Sequence, residues 1–356
     1  LGKFKKVLKE IFLCERGREM AKYTRVLSID GGGIRGIIPG QILVSLEKKL
    51  KEGTGNDTAR IAEYFELIAG TSTGGILTCI YLCPDLENNP PRPRFSAEQA
   101  VDLYLDRGDE IFDVSLWQKI KSGGGLLDEK YTADELEEAF EDYFGDLKLS
   151  DLLKPCLITA YDIRRRKATF FTSHDAVKKA MNDYHIKEVA RATSAAPTYF
   201  ELARVKSLTL VPYPLIDGGV FANNPALCAY AEARSKLKGN PTARNMVVLS
   251  LGTGYAKKQY SYKEAKDWGG AEWIKPLIDI LMSGVSETVN FQLGQIFDSV
   301  KKPKQYLRIN DELLFAGPDM DDASTENLSH LRQEGTRIAE EFDDELDAFV
   351  DLLLKE

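Results

Sequence analysis

Short apolar runs alternate with stretches in which apolar positions recur every three or four residues, from position 26 to about position 251. VLSI at 26–29, ELIA at 66–69, CLITA at 156–160, TFFT at 169–172, PLID at 214–217 and MVVLSL at 246–251 read as strands. Residues 37–50, 133–143 and 225–237 carry helical spacing. This alternation predicts an α/β fold with a central, mostly parallel sheet covered by helices on both faces. From Trp268 onward the pattern is mostly helical, with one further strand at 306–309 (YLRI). Residues 87–95, rich in proline and asparagine, and the glycine-rich 121–126 read as loops rather than linkers, because strand signals continue on either side.

Composition narrows the class. A chain of 356 residues with 43% hydrophobic content can bury a large core. The net charge of -8 argues against a nucleic-acid partner, which calls for a basic face. The five cysteines are odd in number and lack zinc-ligand spacing, so they read as free thiols in a reducing, cytoplasmic setting. Residues 67–84 are uncharged, yet GTSTGG at their centre makes a poor lipid-facing helix. Near the N-terminus Lys3, Lys5, Lys6 and Lys9 interleave with Phe4, Val7, Leu8, Ile11 and Phe12. Such a segment is either a membrane-surface foot or a packed terminal helix. Acidic residues gather at 340–351 around Leu346, Phe349, Val350 and Leu353, as a docking face or a solvated helix face. The division expected is 1–24 as an amphipathic extension, 25–325 as the main domain and 326–356 as an acidic helix.

DGGGIRG at 30–36, between a strand and a helix, presents backbone N–H groups to an anion. Gly31, Gly33 and Gly36 fit the dinucleotide pattern, but the anion could equally be the oxyanion of an attacked carbonyl. GTSTG at 70–74 fits G-x-S-x-G between a strand and a helix read at 75–82, the context of a nucleophile elbow around Ser72. A serine needs a base. None of the three histidines, His174, His185 and His330, sits beside a catalytic-loop signal. Asp217 closes an apolar strand and precedes two glycines, which makes a carboxylate the better candidate. An ordinary carboxylate is a feeble base, so the site should be partly desolvated.

DGGGIRG at 30–36, GTSTGG at 70–75 and DGG at 217–219, in this order and spacing, closely resemble the patatin-like phospholipases. IAGTSTGG at 68–75, AAPTYF at 195–200, LSLGTG at 249–254 and MDDAS at 320–324 extend the likeness from about residue 25 to residue 323. The resemblance implies a three-layer α/β/α fold and a lipid acyl hydrolase, similar to cytosolic phospholipase A2 catalytic domains. It makes Ser72 the nucleophile, Asp217 the base, and Gly31, Gly32 and Gly33 the oxyanion hole. Arg35 falls on the family's arginine, either supporting the anion or bracing the turn. No metal or organic cofactor is implied. The implied partner is a phospholipid or galactolipid, met free or at a membrane surface; a weakly catalytic storage or lipid-binding protein is the alternative. Phe112, Leu116, Trp117, Ile120, Leu126 and Leu127, with Tyr199 and Phe200, are candidates for an acyl trough or for ordinary core.

Overall fold

The computed structural model describes residues 23–111, 134–197, 199–256 and 260–355. The amphipathic segment at 1–22 and the trough candidates between Phe112 and Leu127 lie outside the described residues. In chain order the first half contains β1 (Thr24–Ile29), a 3-10 turn (Gly33–Gly36), α1 (Ile37–Thr54), β2 (Leu67–Thr71), α2 (Thr73–Leu82), β3 (Pro84–Asp85), β4 (Arg92–Pro93), α3 (Ala97–Ile111) and α4 (Asp134–Phe144). Then come β5 (Cys156–Asp162), β6 (Lys167–Phe171), α5 (Ser173–Ala176), α6 (Ile186–Thr193), β7 (Ala203–Lys206), β8 (Pro212–Asp217), α7 (Gly219–Ala222) and α8 (Ala226–Lys236). β9 (Met246–Leu251), α9 (Tyr262–Ala265), α10 (Gly270–Ser299), β10 (Tyr306–Ile309), α11 (Thr325–Glu341) and α12 (Asp343–Leu353) complete it.

An eight-stranded sheet runs in the order β10-β9-β1-β2-β5-β8-β7, with β6 also paired to β5. From β10 to β5 the pairings are parallel; β6, β8 and β7 join antiparallel. Successive side chains of a strand point to opposite faces, and the core divides accordingly. Leu27 and Ile29 of β1 and Val247, Leu249 and Leu251 of β9 belong to the larger cluster, shared with α1, α2 and α11. Val26, Met246 and Val248 belong to a second cluster with Ala226, Ala229 and Ala233 of α8 and Leu293 and Phe297 of α10. Two cores on either face of one sheet make the three layers. Fully buried central strands read as continuous apolar runs, which is why MVVLSL was legible.

Three details differ from the pattern. α2 starts at Thr73, directly after the elbow serine, because Gly74 and Gly75 pack inside the helix rather than before it. The 87–95 stretch contains β4, which pairs antiparallel with β3. β7 escapes the hydrophobic pattern because it is an edge strand, burying only Ala203 and Val205 and exposing Arg204 and Lys206. At the C-terminus, Leu346, Phe349, Val350 and Leu353 are buried in the larger core, and the acidic face beside them meets Lys49 through Asp343 (2.8 Å) and Asp347 (2.5 Å).

Candidate active site

Parallel strands end where loops can gather, and the crevice beyond their carboxyl ends is where α/β sheets bind ligands. DGGGIRG leaves the end of β1, and Ser72 follows the last residue of β2. Register places the third motif. Thr71 pairs with Thr159 of β5, and the next residue of β5, Ala160, pairs with Asp217 at the end of antiparallel β8. Asp217 therefore arrives level with the elbow, with only β5 between their strands.

Ser72 has φ 55° and ψ −123°, a conformation that L-residues adopt only under constraint. The flanking glycines make it possible. A Cβ at Gly70 would lie 2.0 Å from Gly74 O, and one at Gly74 would lie 2.2 Å from Ile29 O, so strand, turn and helix touch through bare backbone. The elbow is pinned behind: Ser72 N–H donates to Thr193 Oγ1 at 2.9 Å, and Thr193 Oγ1 donates to Thr159 O at 2.7 Å. Thr73 Oγ1 meets the Tyr104 hydroxyl at 2.7 Å.

Asp217 is buried and accepts the Gly219 N–H at Oδ1, 2.7 Å away. Burial pushes its carboxyl up, the Ser72 hydroxyl and the Gly219 N–H pull it back, and the balance lies at about 6. That is the partial desolvation a carboxylate base requires.

The glycine loop divides its labour. Gly31 N–H donates to Asn223 O at 3.1 Å, so it is already committed. The N–H groups of Gly32 and Gly33 have no acceptor among the described residues. Gly33 takes φ +58°, and a Cβ there would lie 2.2 Å from Met320 O. Beneath the loop, Asp30 forms a two-pronged ion pair with Arg308 on β10. Burial raises the Asp30 carboxyl, and Arg308 opposes that rise. Arg35 is half-buried, donates to Pro318 O at 3.3 Å and leaves Nε without a partner. Burial lowers its pKa, against Asp279, Tyr199 and Asp319 nearby.

A cavity of about 150 Å³ brings these motifs to one wall, lined by Gly32, Gly33, Ser72 and Asp217. Its other lining is mostly apolar: Ile76, Pro197, Phe200, Val220, Leu281, Met282 and Met320, with Tyr199 and Asp321 among the polar members. Gly31 and Arg35 do not line it. Neither do the three histidines: His174 Nε2 is 2.8 Å from Glu232 Oε1, His185 precedes α6 and His330 lies within α11. His174, Asp175 and Glu232 are the group among the described residues that could hold a cation, but Lys178 (3.1 Å) and Lys236 (4.0 Å) already lean on Asp175. Arg308 and Thr193 carried no usable signal in the sequence; Thr253, within LSLGTG, could be noticed there without a role.

Comparisons with known proteins show the family. The model of the patatin-like phospholipase family matches residues 27–230. Patatin-like protein 2 of Arabidopsis thaliana is 36% identical over 339 residues, covering 88% of this chain and 82% of its own. Patatin-like protein 2 of Oryza sativa subsp. indica is 36% identical over 340 residues, 88% of this chain and 83% of its own. A Solanum tuberosum protein named "Probable inactive patatin-3-Kuras 1" is 32% identical over 335 residues, 90% of this chain and 87% of its own.

Proposed function

The chain belongs to the patatin-like phospholipase family, and from that premise we propose that it is a serine lipid acyl hydrolase working through a Ser72–Asp217 dyad. The observation that carries this reading is a buried carboxyl that lines the same cavity as a serine held in a strained elbow.

Ser72 Oγ attacks the ester carbonyl carbon while Asp217 takes its proton. The carbonyl oxygen becomes an oxyanion, received by the N–H groups of Gly32 and Gly33; each such donor is worth roughly 10²- to 10³-fold in rate. Collapse of the tetrahedral intermediate breaks the ester C–O bond, and Asp217 returns the proton to the leaving alcohol oxygen. Water then attacks the acyl-serine, giving one proton to Asp217, which passes it back to Ser72 Oγ as the fatty acid leaves. One carboxyl serves as base and then acid, which a value about one unit below neutral allows. Gly31 contributes by its close approach to Ser72 rather than as a donor. Arg35 reads as the brace between the glycine loop and residues 318–319.

The substrate class follows from the walls. The cavity is small beside ligand pockets of roughly 300 Å³ or more, so it takes the ester and the first part of an acyl chain. The rest runs out over Val220 and Leu281, which both line the cavity and stand exposed at 43% and 51%. A long-chain lipid in a membrane or micelle surface suits that exit. No described helix is long and apolar enough to cross a membrane. The mechanism calls for no cofactor.

The test is hydrolysis of p-nitrophenyl esters of increasing chain length, followed by phospholipid and galactolipid micelles, by the wild type and Ser72→Ala. Rates that rise with chain length and vanish in the variant support the reading. A folded wild type that binds lipid without turnover points to a lipid-binding protein on the same fold.

A further inference from the structure

The glycine loop is held by a residue that lies 222 positions after Gly31. Thr253, buried in the loop after β9, donates its hydroxyl to Gly31 O at 3.0 Å. Gly31 N–H is held at its other side by Asn223 O. The Gly31–Gly32 peptide is trans, since the Asn89–Pro90 bond is the cis bond found among the described residues. In a planar trans peptide the C=O of one residue and the N–H of the next point in opposite directions. Fixing Gly31 O on Thr253 therefore turns Gly32 N–H the other way, and Gly32 lines the cavity beside Ser72. The threonine is pressed against this peptide: a Cβ at Gly32 would lie 2.3 Å from Thr253 Oγ1 and 2.9 Å from its Cγ2.

We propose that the Thr253 hydroxyl is a positioning residue for the oxyanion hole, acting through the Gly31–Gly32 peptide without touching substrate. This rests on the reading of Ser72 as nucleophile. Gly31 has no side chain to hold its plane, although it packs against Asn223 and Ser72, and the Thr253 hydroxyl is the donor that fixes its carbonyl; without that hydroxyl the peptide can turn. Its unpaired carbonyl would then seek another donor, and Gly32 N–H would leave the oxyanion. Asn223 holds the preceding Asp30–Gly31 peptide through its backbone, which substitution does not remove, so Thr253 is where the idea is exposed to experiment.

Thr253→Val keeps the shape and removes the hydroxyl; Thr253→Ser keeps the hydroxyl and removes the methyl. With p-nitrophenyl butyrate, Thr253→Val is expected to lower kcat by about 10- to 100-fold, the scale of a misplaced catalytic group. KM should stay within about twofold, because ground-state binding does not use the oxyanion donor. A trifluoromethyl ketone, which forms an oxyanion on Ser72, should lose affinity by the same factor as kcat. Thr253→Ser should behave like the wild type. Should valine prevent folding, Thr253→Ser against Thr253→Ala isolates the same hydroxyl on a smaller side chain, with the same ratio expected. Unchanged kcat in the folded hydroxyl-free variant, or equal losses with and without the hydroxyl, overturns the proposal while the wild type's own turnover leaves the Ser72 reading standing. A wild type that neither turns over ester nor binds the ketone overturns the Ser72 reading, and this inference with it.

Discussion

Arg308 grips both carboxylate oxygens of Asp30, with Nη1 2.9 Å from Oδ1 and Nη2 2.6 Å from Oδ2, and its Nη1 also donates to Ser250 Oγ at 2.9 Å. The pair lies buried under the glycine loop and joins β10 to the end of β1. Removing one partner of a buried pair leaves an uncompensated charge, at a cost of about 3–5 kcal/mol. Arg308→Met is therefore expected to lose that much stability in urea unfolding, and Arg308→Met with Asp30→Asn to recover part of it. A single-variant loss under about 1 kcal/mol would mean that the pair is an onlooker.

The Asp217 carboxyl should show in the pH dependence of catalysis. As the base of the free enzyme it must be ionised, so kcat/KM for a short ester should rise tenfold per pH unit up to about 6 and level off above. Ordinary carboxylates titrate near 4, and a rise centred there would show that burial does not act on the base. Asp217→Asn should abolish turnover.

The same shift has a consequence for folding. Asp217 binds its proton more tightly when folded (about 6) than at its ordinary 3.8, so between those values the native state holds more protons than the unfolded one. Stability then falls as pH rises through this window. The strain present at pH 7 is on the order of 2–3 kcal/mol. Asp217→Asn should be more stable than the wild type at pH 7, with the difference closing as pH drops below about 4. Chemical denaturation at pH 4 and pH 7 measures it, and a pH-independent difference would contradict the linkage.

None of the histidines lines the cavity, and His174 is engaged with Glu232. Replacing His174 by Gln, His185 by Asn and His330 by Gln together should leave kcat/KM for a short ester within about threefold in the folded protein, since none of the three reaches the cavity. A fall of several orders of magnitude in a folded triple variant would assign the base to a histidine.

Hydrophobic patterning determined a great deal of this protein. Runs such as VLSI and MVVLSL mark the central strands because both their faces are buried, and helical spacing marks α1, α4 and α8. GTSTG announces the elbow because only glycine lets Ile29, Gly70 and Gly74 approach as closely as they do. Three ordered motifs sufficed to place the chain in its family. Periodicity states which face a residue presents, however, and is silent about which distant residue it meets. That Asp217 comes to Ser72 depends on the registers of β2, β5 and β8, including one antiparallel pairing that no local pattern records. That Gly31 spends its N–H on Asn223, that Arg308 supports Asp30 across 278 positions, and that Thr253 sets the direction of a peptide plane are all results of packing. Such contacts form only when the sheet has assembled and brought buried polar groups within reach of partners, because a buried group left unpaired is costly. The chemistry-bearing residues were written along the chain; their directions were settled by the fold.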